Sequence, residues 1–228
     1  MGKNKLRRFA EINSFTNVIQ PQSKHTLSPF QYKGCWGSDF FYNDHPIILE
    51  IGCGKGEYTI GLAKAFPGKN FIGIDIKGDR IWKGARQALD EGLHNAAFLR
   101  IQAEHIEQFF GEGEVSGIWL TFPDPQSKKV RAKKRLTSPG FLEKYRKILA
   151  PDSPIHLKTD NTGLFRYTLD LIGELGLFLR EHSFDLYADE HVREEYVKSI
   201  QTYYELKFLK EGRPIHYLQF SLHEPTQG

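Results

Sequence analysis

Two cysteines in 228 residues, Cys35 and Cys53, are too few for a disulfide framework or a zinc set, and they point to a reducing, cytoplasmic setting. No run approaches the ~18 apolar residues of a membrane span, and the basic, polar start has no apolar signal core. Repeats and low-complexity tracts are also missing. The net charge is only +3, so the whole molecule demands no polyanionic partner. Its distribution says more, because basic residues cluster at 3–8 ("KNKLRR") and again at 128–135. The glycine-rich stretch "LEIGCGKGEY" (49–58) lacks both familiar phosphate patterns. A dinucleotide turn would need glycine where Glu57 stands, and no Gly-Lys-Ser/Thr follows at the spacing of a phosphate-binding loop.

What is present reads as one α/β domain of ordinary size, 39 % hydrophobic and able to bury a full core. Residues 1–32 are polar with little periodicity and read as a flexible basic arm, or one ordered by a partner; residues 33–228 form the domain. From residue 46 strands alternate with helices: "PIILEIG" (46–52), a helix over 57–66, "NFIGIDI" (70–76), a helix over 79–93, "NAAFLRIQ" (95–102), "EHIEQFF", and "SGIWLTF" (116–122). After the second basic stretch, 138–151 reads as a helix with a serine cap and proline just inside its start. A strand over 153–160 and a helix over 162–176 follow. The end of the chain, "LFLREHSFDLY" and 214–222, reads as two antiparallel strands with a helix-like "YVKSIQTYYELKFLKEG" between them. Such alternation predicts a mostly parallel sheet with helices on both faces, closed by an antiparallel pair.

Gly52, Gly54 and Gly56 fall at every second position where the first strand turns into a helix, so the backbone can approach a ligand closely. Glu50, two residues ahead, is wrong for cradling pyrophosphate and suits a ligand with a cationic amino-acid group. Asp75 ends the second strand about 19 residues beyond Gly56, where a carboxylate can take both hydroxyls of a ribose. Together these residues resemble class I S-adenosylmethionine-dependent methyltransferases, with a Rossmann-like fold. The resemblance implies S-adenosylmethionine as cofactor, S-adenosylhomocysteine as product, and no metal. Glu50 would lie near the methionine end, the three glycines under the cofactor and Asp75 on the ribose. Gln102 is the amide-bearing candidate for adenine; Glu104 fits equally, and also fits a helix cap.

The end of the fourth strand narrows the resemblance. "FPDPQSKKVRAKKRLT" (122–137), "HLKTDN" (156–161) and "TYYELKF" (202–208) appear in the order seen in the tRNA (guanine-N7-)-methyltransferase family, and the similarity runs from "KGCWG" (33–37) to residue 222. It implies Asp124 as the catalytic residue, which also contacts the cofactor. It implies substrate contacts from Lys128, Asp160, Thr202, Tyr203, Tyr204 and Glu205, on a guanine in the tRNA variable loop, position 46. Gln126 departs from the pattern, which has tryptophan there, and Val130-Arg131 departs from the usual Arg-His.

The chemistry fits these residues. Guanine N7 has an in-plane lone pair and no proton, so attack on a sulfonium methyl needs alignment and electrostatic support for a cationic purine, not a general base. Carboxylates at adjacent strand ends, Asp124 and Asp160, suit that task, Asp124 as the central residue with Asp160 and Glu205 reading the guanine edge. Asp160 also fits a helix cap, and Thr202 with Glu205 also fits a capping box. Lys129, Arg131, Lys133, Lys134 and Arg135 would hold tRNA phosphates, with Lys3, Lys5, Arg7 and Arg8 adding contacts from the arm. Other readings are a class I methyltransferase acting on a protein or small molecule, and a catalytically silent RNA-binding module. The expected protein is a monomer or homodimer without a membrane partner.

Overall fold

The computed structural model describes residues 3–21, 30–192 and 194–223, with the side chains of residues 3–5 left out. Its centre is an eight-stranded sheet in the order β1-β4-β3-β2-β5-β6-β8-β7. The strands are β1 (Val18–Ile19), β2 (Ile47–Ile51), β3 (Asn70–Ile74), β4 (Ala96–Leu99), β5 (Val115–Thr121), β6 (Pro154–Thr159), β7 (Phe178–Ser183) and β8 (His216–Ser221). The first six are parallel, and β8 inserts antiparallel between β6 and β7. The expected mostly parallel sheet with an antiparallel C-terminal pair is therefore observed.

Alternation along each central strand sorts the core into two layers. Leu49, Ile51, Ile72, Ile74, Leu99, Ile118 and Leu120 point to one face. There they meet α4 (Pro139–Arg146), α5 (Thr162–Glu174) and an aromatic cluster around Trp36. Ile48, Phe71, Ala96, Phe98 and Trp119 point to the other face, under α2 (Glu57–Ala65) and α3 (Gly78–Asp90). Burial on both faces is why β2 and β3 are apolar at every position but Glu50 and Asn70.

Several segments differ from the sequence reading. The described part of residues 1–32 includes the helix α1 (Lys3–Glu11), and β1 adds to the sheet beside β4. Apolar residues three apart, Phe9, Ile12 and Phe15, tie this segment down; Ile12 and Phe15 are buried, and Arg100 stacks over Phe9. The side chains of Lys3 and Lys5 lie outside the described residues. "EHIEQFF" contributes to a 3-10 turn, Ala103–Gln108, rather than an α-helix. Ser138 precedes Pro139 as expected, but its hydroxyl donates to the Lys133 carbonyl and does not cap α4. The continuous helical pattern before β8 is split into α6 (Glu195–Ser199) and α7 (Tyr203–Lys210). Among the described residues no helix is long and apolar enough to cross a membrane.

Candidate active site

At the carboxyl end of β2 the chain turns through Gly52, Gly54 and Gly56, all with positive φ (81°, 56° and 72°). The Gly52 and Cys53 amides donate to the Ile74 carbonyl, and the Gly54 amide donates to Asp75 Oδ2 at 3.0 Å. The glycines have different duties. A side chain on Gly54 would meet nothing within 4 Å, so this face is open to a ligand. One on Gly56 would come within 2.5 Å of the Phe98 ring, so Gly56 serves close packing of the turn on the sheet.

Asp75 Oδ1 accepts from the Lys77 amide at 2.8 Å. Each carboxylate oxygen therefore holds one main-chain donor and keeps a second lone-pair direction for a ligand hydroxyl. Glu50 is buried: the Thr59 amide and hydroxyl donate to its Oε2 (2.8 and 2.5 Å), and the Thr121 hydroxyl donates to Oε1. Burial raises its carboxyl pKa to about 7, against the pull of those hydrogen bonds.

Two cavities meet at Gly52. One of about 320 Å³ is lined by Asp75, Ile76, Ile101, Gln102, Glu104 and Leu136. The other, about 100 Å³, is lined by Glu50, Gly54, Thr121, Phe122, Thr202 and Tyr204, among others. Gln102 and Glu104 thus reach the same cavity, Gln102 half-buried and Glu104 exposed. Leu136, at the end of the basic stretch, was not singled out from sequence, nor was Phe122.

Beyond β5 the chain runs through Phe122-Pro-Asp-Pro-Gln126, bracketed by two non-glycine residues in the left-handed region, Phe122 (φ 48°) and Gln126 (φ 46°). Such residues cost on the order of 1 kcal/mol each and cluster at functional sites. Asp124 is exposed, and its Oδ1 accepts from the Gln126 amide at 3.0 Å, closing a short turn. A 3-10 helix, Lys129–Lys134, follows with no buried residue. Lys128, Lys129, Arg131, Lys133 and Lys134 are exposed, and among the described residues none forms an ion pair within 4.0 Å. Arg135 behaves differently. Its guanidinium turns back to the Asp124 loop, with Nε donating to the Pro125 carbonyl at 3.1 Å and the group lying 4.2 Å over the Tyr167 ring.

The remaining expected substrate residues separate into two groups. Asp160 stays near the surface and is salt-bridged to Arg213, whose guanidinium lies 4.4 Å over Phe208. It does not cap α5; Asn161 does, accepting from the Leu164 amide at 2.8 Å. Tyr203 and Tyr204 are exposed on α7, with Lys55 over the Tyr203 ring. Thr202 and Glu205 form the capping box of α7. Glu205 is fully buried, 2.6 Å from Lys158 Nζ and 2.8 Å from the Tyr187 hydroxyl. The expectation that Glu205 reads guanine is at odds with this burial, since its oxygens are occupied inside the protein. Lys158 Nζ also donates to the Val197 and Ile200 carbonyls (2.7 and 3.3 Å), so three acceptors match an ammonium's three donors. Burial lowers the Lys158 pKa and Glu205 opposes it. A lysine within a strand buried along nearly its whole length was the signal for this pair. Among the described residues no cluster of His, Cys, Asp and Glu could hold a metal ion.

Comparison with known proteins adds independent information. The family described as "Putative methyltransferase" matches residues 44–218. A tRNA (guanine-N(7)-)-methyltransferase of Christiangramia forsetii is 53% identical over 222 residues, covering 96% of this chain and 98% of its own. The protein of that name from Bacteroides thetaiotaomicron is 52% identical, covering 100% of this chain and 88% of its own. Among solved structures, an antibiotic-related methyltransferase superposes with a TM-score of 0.61 at 16% identity over 90% of this chain and 98% of its own. A 30S ribosomal A1408 methyltransferase from an uncultured bacterium gives 0.59 at 16% identity, with the same coverage. These two likenesses speak to the fold.

Proposed function

The chain belongs to the tRNA (guanine-N(7)-)-methyltransferase family, and from that premise we propose how its own residues divide the work of transferring a methyl group from S-adenosylmethionine to N7 of guanine in tRNA. The residues fit the cofactor: an open glycine face at Gly54, a carboxylate at Asp75 with free lone pairs, and an acid at Glu50 matched to an ammonium. S-adenosylmethionine supplies an electrophilic methyl on a sulfonium. Asp75 takes the ribose hydroxyls, and Gln102 or Glu104 reads the adenine across the larger cavity. Glu50 ionises against the ligand's ammonium, which offsets the carboxylate's burial.

Asp124 supports the reaction as charge moves from sulfur to the purine. No proton leaves N7, so a carboxylate serves there as a fixed negative charge and hydrogen-bond acceptor. Asp160, oriented by Arg213, is the second acceptor for the guanine edge, while Tyr203 and Tyr204 offer ring faces to an extruded base. Lys128, Lys129, Arg131, Lys133 and Lys134 take phosphates. In this reading Glu205 shapes α7 from inside the protein and does not touch substrate, while Thr202 both caps α7 and faces the smaller cavity. The target is the variable-loop guanine, position 46, and the enzyme works in the cytoplasm.

The observation that carries this reading is the placement of the Asp124 loop, which leaves the cofactor cleft at Phe122 and runs directly into five exposed cations. Incubation with methyl-labelled S-adenosylmethionine and unmodified tRNA, followed by reduction and aniline cleavage, tests it. Label in tRNA with one cut at the variable loop is expected. A cut elsewhere, or label without any cut, would overturn the assignment of the target atom.

A further inference from the structure

Arg135 closes a basic run whose other five cations face solvent, yet its side chain is half-buried and turned toward the protein. Its Nε donates to the Pro125 carbonyl at 3.1 Å, and Nη2 lies 3.5 Å from the Gln126 carbonyl. The guanidinium carbon lies over the Tyr167 ring on α5, 4.2 Å from the ring centre. Its own amide donates to the Ala132 carbonyl, so the same residue terminates the 3-10 helix that carries the cations. Among the described residues the Pro-Asp-Pro-Gln turn has few other polar anchors beyond the packing of buried Pro123. Two of its residues are prolines without amide donors, and the Gln126 amide is used by Asp124 itself. A planar, permanently charged fork suits this position because it can bond carbonyls along its edge while stacking on a ring with its face.

We infer that Arg135 is a positioning residue for the methyl transfer, bracing the Asp124 loop against Tyr167 so that the carboxylate is held where guanine arrives. It rests on the reading of Asp124 given above. The brace links the phosphate-binding helix to the catalytic carboxylate through one side chain, and Leu136, the next residue, lines the cofactor cavity.

Arg135→Gln, Arg135→Lys and Tyr167→Ala separate bracing from phosphate binding in the full-length protein with unmodified tRNA and saturating S-adenosylmethionine. Bracing predicts that Arg135→Gln lowers kcat about 10-fold or more while the tRNA KM and its salt dependence hold. Tyr167→Ala, which changes no charge, should lower kcat in the same way. Arg135→Lys should fall between, since an ammonium keeps a donor but not the stacked plane. A raised KM with unchanged kcat, and a salt slope reduced by about one, would overturn the inference and return Arg135 to the phosphate contacts. Asp124→Ala serves as the control: a near-normal rate there would sink the reading of Asp124, whereas an inactive Asp124→Ala beside a fully active Arg135→Gln would sink the brace alone. Melting curves identify any variant whose loss reflects unfolding, and the charge-neutral Tyr167→Ala and charge-keeping Arg135→Lys still decide between the two roles.

Discussion

Glu50 holds a carboxyl in a site where three protein donors face it and, among the described residues, no cation pairs with it. Its pKa of about 7 lies above the ordinary 4.5, so the native state binds more protons than the unfolded chain between those values. Stability therefore falls as pH rises through that window, by ~3 kcal/mol over its whole width. An ammonium-bearing ligand favours the ionised form, so S-adenosylmethionine should bind more tightly as pH rises toward 7 and level off above it. Calorimetry in buffers of different ionisation enthalpy should show proton release near pH 6, and Thr121→Val should shift the profile upward by removing a donor. Affinity independent of pH from 5.5 to 8 would contradict this account. For Asp124, Asn keeps an acceptor for the Gln126 amide but removes the charge. Asp124→Asn should cut kcat by roughly 100-fold or more while tRNA affinity stays within about twofold. That Glu50, Asp75 and Asp124 would come to the carboxyl edge of the sheet was legible in the sequence, because each lies at or just past a strand end. Arg213, and the turn of Arg135 from the expected phosphate contact toward the Asp124 loop, were not, since their partners are main-chain carbonyls or an acid far along the chain. The departure at Gln126 also becomes intelligible: the turn uses its amide and carbonyl, so the loop's path does not depend on its side chain.

At the scale of elements, the break between α6 and α7 is the main feature that periodicity concealed. The helical pattern runs through residues 196–212, but Lys158 takes the Val197 and Ile200 carbonyls, and Thr202 restarts the helix with its capping box. Tertiary bonding to a strand thus overrides a local pattern. Glu205→Ala would leave a buried ammonium without its carboxylate and should lower stability by ~3–5 kcal/mol, read as a fall in the urea midpoint. Were Glu205 a guanine contact, kcat/KM would fall with the midpoint unmoved. The basic helix makes the opposite prediction. Lys133→Ala with Lys134→Ala should leave the midpoint unchanged, weaken tRNA binding and flatten its salt slope by about 2.

Across the whole molecule, the alternation of strands and helices made the parallel sheet and its antiparallel closure readable, because buried parallel strands must be apolar on both faces. Its far edge was not readable. β1 is two residues long, within a polar stretch, and is defined by pairing with β4 rather than by its own composition. Deleting residues 1–20 would remove buried Ile12 and Phe15 and uncover that edge, where Phe98 and Arg100 donate to the Asn17 and Ile19 carbonyls. At ~1.5–3 kcal/mol per buried side chain, the loss should be about 3–6 kcal/mol. A truncated protein with an unchanged melting temperature would mean the segment is only an RNA-binding tail.

The Lys158 clasp has a consequence for how such an enzyme can diversify. It grips carbonyls, which every residue provides, and the capping box needs only Thr202 and Glu205. Tyr203 and Tyr204, between those two, point outward and are released from holding the helix in place. If these two rings meet the RNA as proposed, substitutions at Tyr203 should change substrate choice with the least effect on the frame, since Tyr204 also lines the smaller cavity and stacks on Phe208.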